Sequence, residues 1–333
     1  MRLPWILLPV LLAFPLGARA QPLVWPTPNP AFVEGKHSSA WVQPTSSGRE
    51  ASGLYGCVRN GGNRFHEAID IATLERDARN RASDPVFAAM PGTVTHINRV
   101  AGHSSYGIYV VLTHEQGGLR FYTLYSHLAR IAPGLEEGQR VREGEELGTL
   151  GTTAGGYRIP NDRAHLHFEV GLALNEHFQR WFDRQPFGSR NRHGTANGLN
   201  LRGIDPLRFY ESVRDRESRG FADFLGQEEP AFLVRVAQPR TPDLLRRSPA
   251  LQRGPALDSP AGWEIGFTRY GVPLSFRALA PDQLGDATPG QPNVLVPSTL
   301  DPRVPCRDLV QRQGDTWLPG DDLLSTLDLL FTR

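Results

Sequence analysis

A chain of 333 residues, 39% of them hydrophobic, can bury one substantial core or two modest ones. A formal net charge of +1 excludes a general nucleic-acid or membrane-surface binder. Lys36 is the only lysine, so chemistry that depends on a lysine is excluded almost everywhere.

Residues 1–20 read as a secretory signal. Arg2 supplies the positive start, Trp5 to Leu16 form an apolar run broken by Pro9 and Pro15, and Ala18-Arg19-Ala20 is a small-x-small cleavage site. The run is short for a membrane span and no later stretch is apolar enough to make one. The mature chain is therefore expected to start near Gln21, in the periplasm or in the extracellular cell wall, and is read as a monomer. Cys57 and Cys306 are the only cysteines, and an oxidising compartment lets such a pair form one disulfide.

Residues 21–52 are rich in Pro, Ser and Gly and read as an extended arm without its own core. Residues 53–210 carry short β-rich runs separated by glycine turns, such as Gly92 to Ile97, Tyr106 to Leu112 and Phe121 to Tyr125, which argues for an all-β sandwich or barrel. Thr73 to Asp84 is charged and reads as a locally helical insertion. Leu174 to Arg202 mixes a short helix near Phe178 to Asp183 with polar loop. Residues 221–333 are proline-rich, with a strand pair over Trp263 to Phe276 and an apolar stretch from Leu323 to Phe331. They carry no chemical motif and read as an accessory region, either a small domain or an elaboration packed on the first.

Four histidines and one aspartate stand out within the β-rich region, in His66-Glu67-Ala68-Ile69-Asp70, Tyr125-Ser126-His127-Leu128 and His165-Leu166-His167-Phe168-Glu169. Two imidazoles and a carboxylate with an open fourth position suit a catalytic zinc, and two further histidines remain to handle protons. His165 and His167 lie two apart in a strand pattern and so share a face, leaving Leu166, Phe168 and Val170 for the core. His66 and Asp70 would be roughly 13 Å apart in an extended strand, so the chain must bend after His66 to bring both to one ion. The other histidines, His37, His96, His103, His114, His177 and His193, read as surface or loop residues.

The order of these three motifs resembles the lysostaphin-type (LytM-type) zinc metallopeptidases. Pro85 to Val94, Ser105-Tyr106-Gly107 and Glu137 to Gly148 continue the likeness, which covers about Tyr55 to Tyr210. The resemblance implies an all-β, duplicated hybrid-motif (barrel-sandwich) domain with inserted loops. It implies Zn²⁺ on His66, Asp70 and His167, and catalytic roles for His127 and His165. It also implies hydrolysis of peptide bonds in the stem peptides or cross-links of peptidoglycan, with a protease of glycine-rich proteins and an inactive wall-binding module as alternatives. Biotinyl and lipoyl carriers share the broad architecture but need an acceptor lysine that is absent here. Phosphocarrier domains use paired histidines but work in the cytoplasm. Two departures from the family pattern bear on the substrate groove: the longer approach Tyr157 to Arg163 before His165, and the insertions at Thr73 to Asp84 and Leu174 to Arg202.

Overall fold

The computed structural model describes residues 23–296 and 301–333, so the expected signal segment lies outside the described residues. The first part of the chain is built from β1 (Gly56–Arg59), β2 (Arg64–His66), β3 (Ile69–Ala72), β4 (Pro85–Phe87), β5 (Gly92–Asn98), β6 (Ile108–Gln116), β7 (Leu119–Ile131), β8 (Arg140–Val141), β9 (Glu146–Leu150), β10 (His165–Ala173) and β11 (Leu201–Ile204). β1 and β2 form a hairpin, and the remaining nine strands form one antiparallel, sandwich-like sheet. Its spine runs β11-β10-β7-β6-β5-β8, with β3 on β10, and β9 joining β4 to β7.

β10 is the strand that organises the site. It pairs with β7 along one edge, and with β3 and then β11 along the other, so its backbone is bonded on both sides. Leu166, Phe168, Val170 and Leu172 are fully buried on one face, as the alternating pattern requires. His165, His167 and Glu169 line the other. The required bend occurs at Glu67-Ala68, between β2 and β3, and it folds His66 back over Asp70.

In β7, Ser126 and His127 stand opposite the single residue Tyr109 of β6, a bulge in which His127 takes a φ of +61°. β7 is paired with β10 up to Ser126 and with β9 from Leu128, so the bulge marks the point where the strand changes neighbours. Bulges re-aim side chains, and a histidine with positive φ is uncommon outside such sites.

The N-terminal arm, which the sequence gives no core of its own, packs its aromatic residues into the common core. Trp25 stacks on Phe32 at 4.4 Å and meets Trp41 and Tyr210 edge-on at 5.4 and 5.0 Å. Aromatic surface of that size gains more from burial than the Pro-rich backbone loses by being held. Thr73 to Asp84 differs from expectation, since it forms no helix. The Asp84 carboxylate accepts from the amides of Leu74 (2.8 Å) and Glu75 (2.7 Å) and from the Thr73 hydroxyl, and Asp77 accepts from the amides of Arg79 and Arg81. Such side-chain to backbone bonds compete with a helical ladder, and here they fold the segment into a tight turn.

The short helix α1 (Phe178–Asp183) falls where the sequence places it. Asp205 caps α2 (Pro206–Arg214) by accepting from the Leu207 and Arg208 amides, and α3 (Phe221–Gln227) packs beside it. Beyond these lies a second antiparallel sheet in the order β14-β13-β12-β15, from β12 (Phe232–Val236), β13 (Gly262–Phe267), β14 (Pro273–Leu279) and β15 (Asn293–Leu295), with α4 (Asp243–Arg247) before β13. A hairpin of β16 (Val310–Gln313) and β17 (Thr316–Pro319) precedes α5 (Asp321–Phe331), the apolar stretch at the end of the chain. One hydrophobic cluster runs through both sheets, from Trp25 to Leu330. The Asn175 amide donates to the carbonyls of Leu329 and Thr332, 2.7 Å each, and Cys57 is bonded to Cys306. No helix among the described residues is long and apolar enough to cross a membrane.

Candidate metal centre

His66 comes from the end of β2, Asp70 from β3 and His167 from the adjacent β10, where it sits directly opposite Asp70 in the register. All three are buried. His66 Nε2 lies 3.2 Å from Asp70 Oδ1 and 3.2 Å from His167 Nδ1, and His167 Nδ1 lies 3.3 Å from Asp70 Oδ1. A tetrahedral zinc with bonds of about 2.0–2.1 Å holds its donors about 3.3 Å apart, so this triangle has the right size. Asp70 Oδ1 is buried without a hydrogen-bond partner, an arrangement that costs free energy unless a cation completes it.

The atoms behind the triangle fix its tautomers. His66 Nδ1 donates to Leu54 O at 2.7 Å, and His167 Nε2 donates to Glu169 Oε1 at 3.0 Å. Each bond places the proton on the far nitrogen and turns the other toward Asp70, as histidine ligands require. Glu169 is held in turn by the Tyr122 hydroxyl at 2.6 Å, and Tyr106 donates to Glu67 at 3.2 Å beside it. Arg59 also reaches in from β1. Its Nη2 donates to His66 Nε2 at 2.8 Å and to Asp70 Oδ2. The guanidinium thus uses the lone pair that a metal would take.

Burial raises the Asp70 pKa, but His66, His165 and Arg59 outweigh it and hold the carboxyl well below the usual carboxylate range. Burial pulls His167 down, and the neighbouring carboxylates of Asp70 and Glu169 overcome this and lift it to about 9.

His127 and His165 lie beside the triangle, with ring centroids 4.9 Å apart and His127 5.7 Å from His167. His127 Nδ1 donates to Thr153 O at 2.8 Å, and His165 Nδ1 donates to Arg163 O at 2.8 Å, which leaves Nε2 of each as an acceptor. Burial, and then the charges of His165 and His167, hold His127 well below the ordinary imidazole range. Burial likewise lowers His165, against the pull of Asp70. Both are neutral near pH 7 and able to take a proton. Gly107 makes the His127 anchor possible: at a φ of +66°, a Cβ there would stand 2.1 Å from the Thr153 carbonyl.

All five residues singled out in the sequence are thus brought together. Arg59, Glu67 and Glu169 were not singled out, although Glu169 continues the i, i+2 spacing of His165 and His167 and was open to that reading. One of the histidines read as surface or loop residues is not one. His114 is buried on β6, donating to Pro91 O and sharing a hydrogen bond with Thr123 Oγ1, each at 2.8 Å.

Residues 64–178 match the profile of peptidase family M23. A search of curated proteins finds no match. Among solved structures, a zinc-containing peptidase from Vibrio cholerae is 28% identical over 32% of this chain and 26% of its own, with a TM-score of 0.24. The catalytic domain of the antimicrobial peptidase lysostaphin from Staphylococcus simulans is 20% identical, covering 48% of this chain and 88% of that one, with a TM-score of 0.30. Helicobacter pylori Csd3 is 18% identical over 57% of this chain and 33% of its own, with a TM-score of 0.30. The chain spans about a quarter of the length of the Vibrio cholerae peptidase. Residues 64–178, the segment that carries His66, Asp70 and His167, thus resemble peptidase family M23.

Proposed function

We propose that this chain is an exported zinc metalloendopeptidase that hydrolyses peptide bonds in the stem peptides or cross-links of peptidoglycan. The observation that carries the reading is the donor triangle of His66, Asp70 and His167, sized for zinc and containing a buried carboxylate oxygen that nothing in the protein satisfies. When bound, zinc supplies an electrophile that lowers the pKa of water toward about 7 and polarises a carbonyl. The protein supplies the rest. Nε2 of His127 and of His165 face the triangle as proton acceptors, and in protonated form either stabilises a developing negative charge. The Glu169–His167 bond keeps the imidazole oriented throughout.

In this reading residues 53–210 are the peptidase domain, and residues 221–333 carry no catalytic group. Residues 1–20 direct export, and the Cys57–Cys306 disulfide supports an oxidising destination. The test is incubation of the full mature chain with purified sacculi, with and without a chelator, followed by analysis of the released muropeptides. New amino termini in the peptide part that vanish with chelation and return with zinc are expected. Glycan cleavage, or no zinc-dependent product, overturns the reading.

A further inference from the structure

A groove of 310 Å³ opens directly onto Asp70, His127 and His165. Its charged wall is one-sided: Arg59, Arg64, Arg158 and Arg163 line it, and the only carboxylate is Asp70. Arg59 is committed to Asp70 and His66. The guanidinium groups of Arg64, Arg158 and Arg163 have no ion pair and no hydrogen bond among the described residues. Elsewhere the chain pairs its arginines readily, as in Arg208 with Glu228 or Arg247 with Asp243. Holding several like charges around one groove is unfavourable unless a ligand neutralises them.

The wall is built rather than loose. Arg158 and Arg163 lie on the long approach to His165, one of the places where this chain departs from the family pattern. Ile159 is buried there, and the Tyr157 hydroxyl donates to Ser105 O at 3.2 Å. Arg76, from the Thr73 to Asp84 turn, donates to the carbonyl of Asn161 at 2.6 Å and to that of Asp162 at 3.5 Å. Two departures from the family pattern therefore interlock, and together they hold the arginines over the site.

A guanidinium matches a carboxylate with two parallel N–H···O bonds, which makes it a strong and geometrically selective partner. A chain of glycines offers such a wall only backbone carbonyls, whereas a peptide with free carboxylates also neutralises its charge. Resting on the peptidase reading above, we propose that the groove selects acidic peptides, with Arg64, Arg158 and Arg163 as the residues that set this specificity. Carboxylates flanking the bond presented to His127 and His165 would be gripped by these side chains.

The test uses the full mature chain loaded with zinc and two fluorescein-labelled probes: a peptide of alternating glycine and glutamate, and the same peptide with glutamine. Binding is followed by anisotropy and cleavage by chromatography. The acidic probe is expected to bind about tenfold more tightly than the neutral one, with the difference shrinking as salt rises. The double variant Arg64→Gln/Arg158→Gln should lose that preference through KM, with kcat nearly unchanged. Arg158→Lys, which keeps the charge, should retain part of it, and Arg140→Gln, remote from the groove, should behave as the native chain. Cleavage of both probes with equal KM overturns the acidic specificity and leaves the peptidase standing. Acid-selective binding that disappears in the double variant, in a chain that releases no zinc-dependent product from sacculi either, supports the groove and overturns the peptidase reading. Equal binding of both probes overturns the proposal whatever the turnover.

Discussion

The two sheets of this protein treat buried charge in opposite ways. In the second sheet, Glu264 of β13 receives Arg235 Nε on one oxygen at 2.8 Å, and Arg277 Nε and Nη2 on the other at 2.9 and 2.7 Å. Both oxygens are satisfied and the cluster is closed. In the first sheet, Asp70 and its two histidines are arranged with equal care, yet Oδ1 is left without a donor and two imidazole nitrogens converge on it. Structural charges are completed by the fold, whereas working charges are left for something else to complete.

The contrast can be broken most decisively at Asp70. Asp70→Asn should abolish zinc retention after dialysis and, with it, zinc-dependent turnover, both followed by elemental analysis and product release. A variant that keeps one zinc per chain removes the distinction between open and closed clusters. His127→Ala and His165→Ala come next. Each should keep the metal while turnover falls by roughly 10²–10⁴, and undiminished turnover in both removes them from the proton handling.

His114 sharpens the comparison from within the first sheet, because both of its nitrogens are satisfied. Burial lowers its pKa to about 4, so it is neutral in the folded protein, while in the unfolded chain it titrates near its ordinary 6.5. Between these values the unfolded state holds the extra proton, so stability rises with pH across the window. The contribution is complete above about pH 6.5 and is lost as pH falls toward 4, on the order of 3 kcal/mol in all. The part of the pH 7 to pH 4 difference in urea unfolding of chelated protein that disappears in His114→Gln measures it. The smallest effect is expected at Glu264. Glu264→Gln should cost about 1–3 kcal/mol of stability with zinc content unchanged, and a loss of metal there would mean that the two clusters are coupled.

How much of this was legible in the sequence depends on where the information lies. His165 and His167 declare their shared face through a two-residue spacing, and the bend after His66 follows from strand length alone. Arg59 gives no such sign, because it reaches the site only through the β1–β2 hairpin, in which Gly56 stands opposite His66. The turn at Thr73 to Asp84 looked helical by its charges, but a single carboxylate at its end captures the amides that a helix would need. His114 seemed superficial because its partner Thr123 becomes a neighbour only when β6 folds against β7. Trp25, Phe32 and Trp41 were hidden by proline-rich surroundings that gave no periodicity to read.

The bond between Cys57 and Cys306 spans 249 residues of sequence, and almost the whole molecule lies inside that span. The three metal ligands and both sheets fall between its two ends, whereas Leu54, which orients His66, and Pro44 to Ser46 of the groove lie before it. Once the packed segments outside it have given way, tension applied to the two ends of the chain passes across the sulfur bridge and leaves the residues between its ends unstretched.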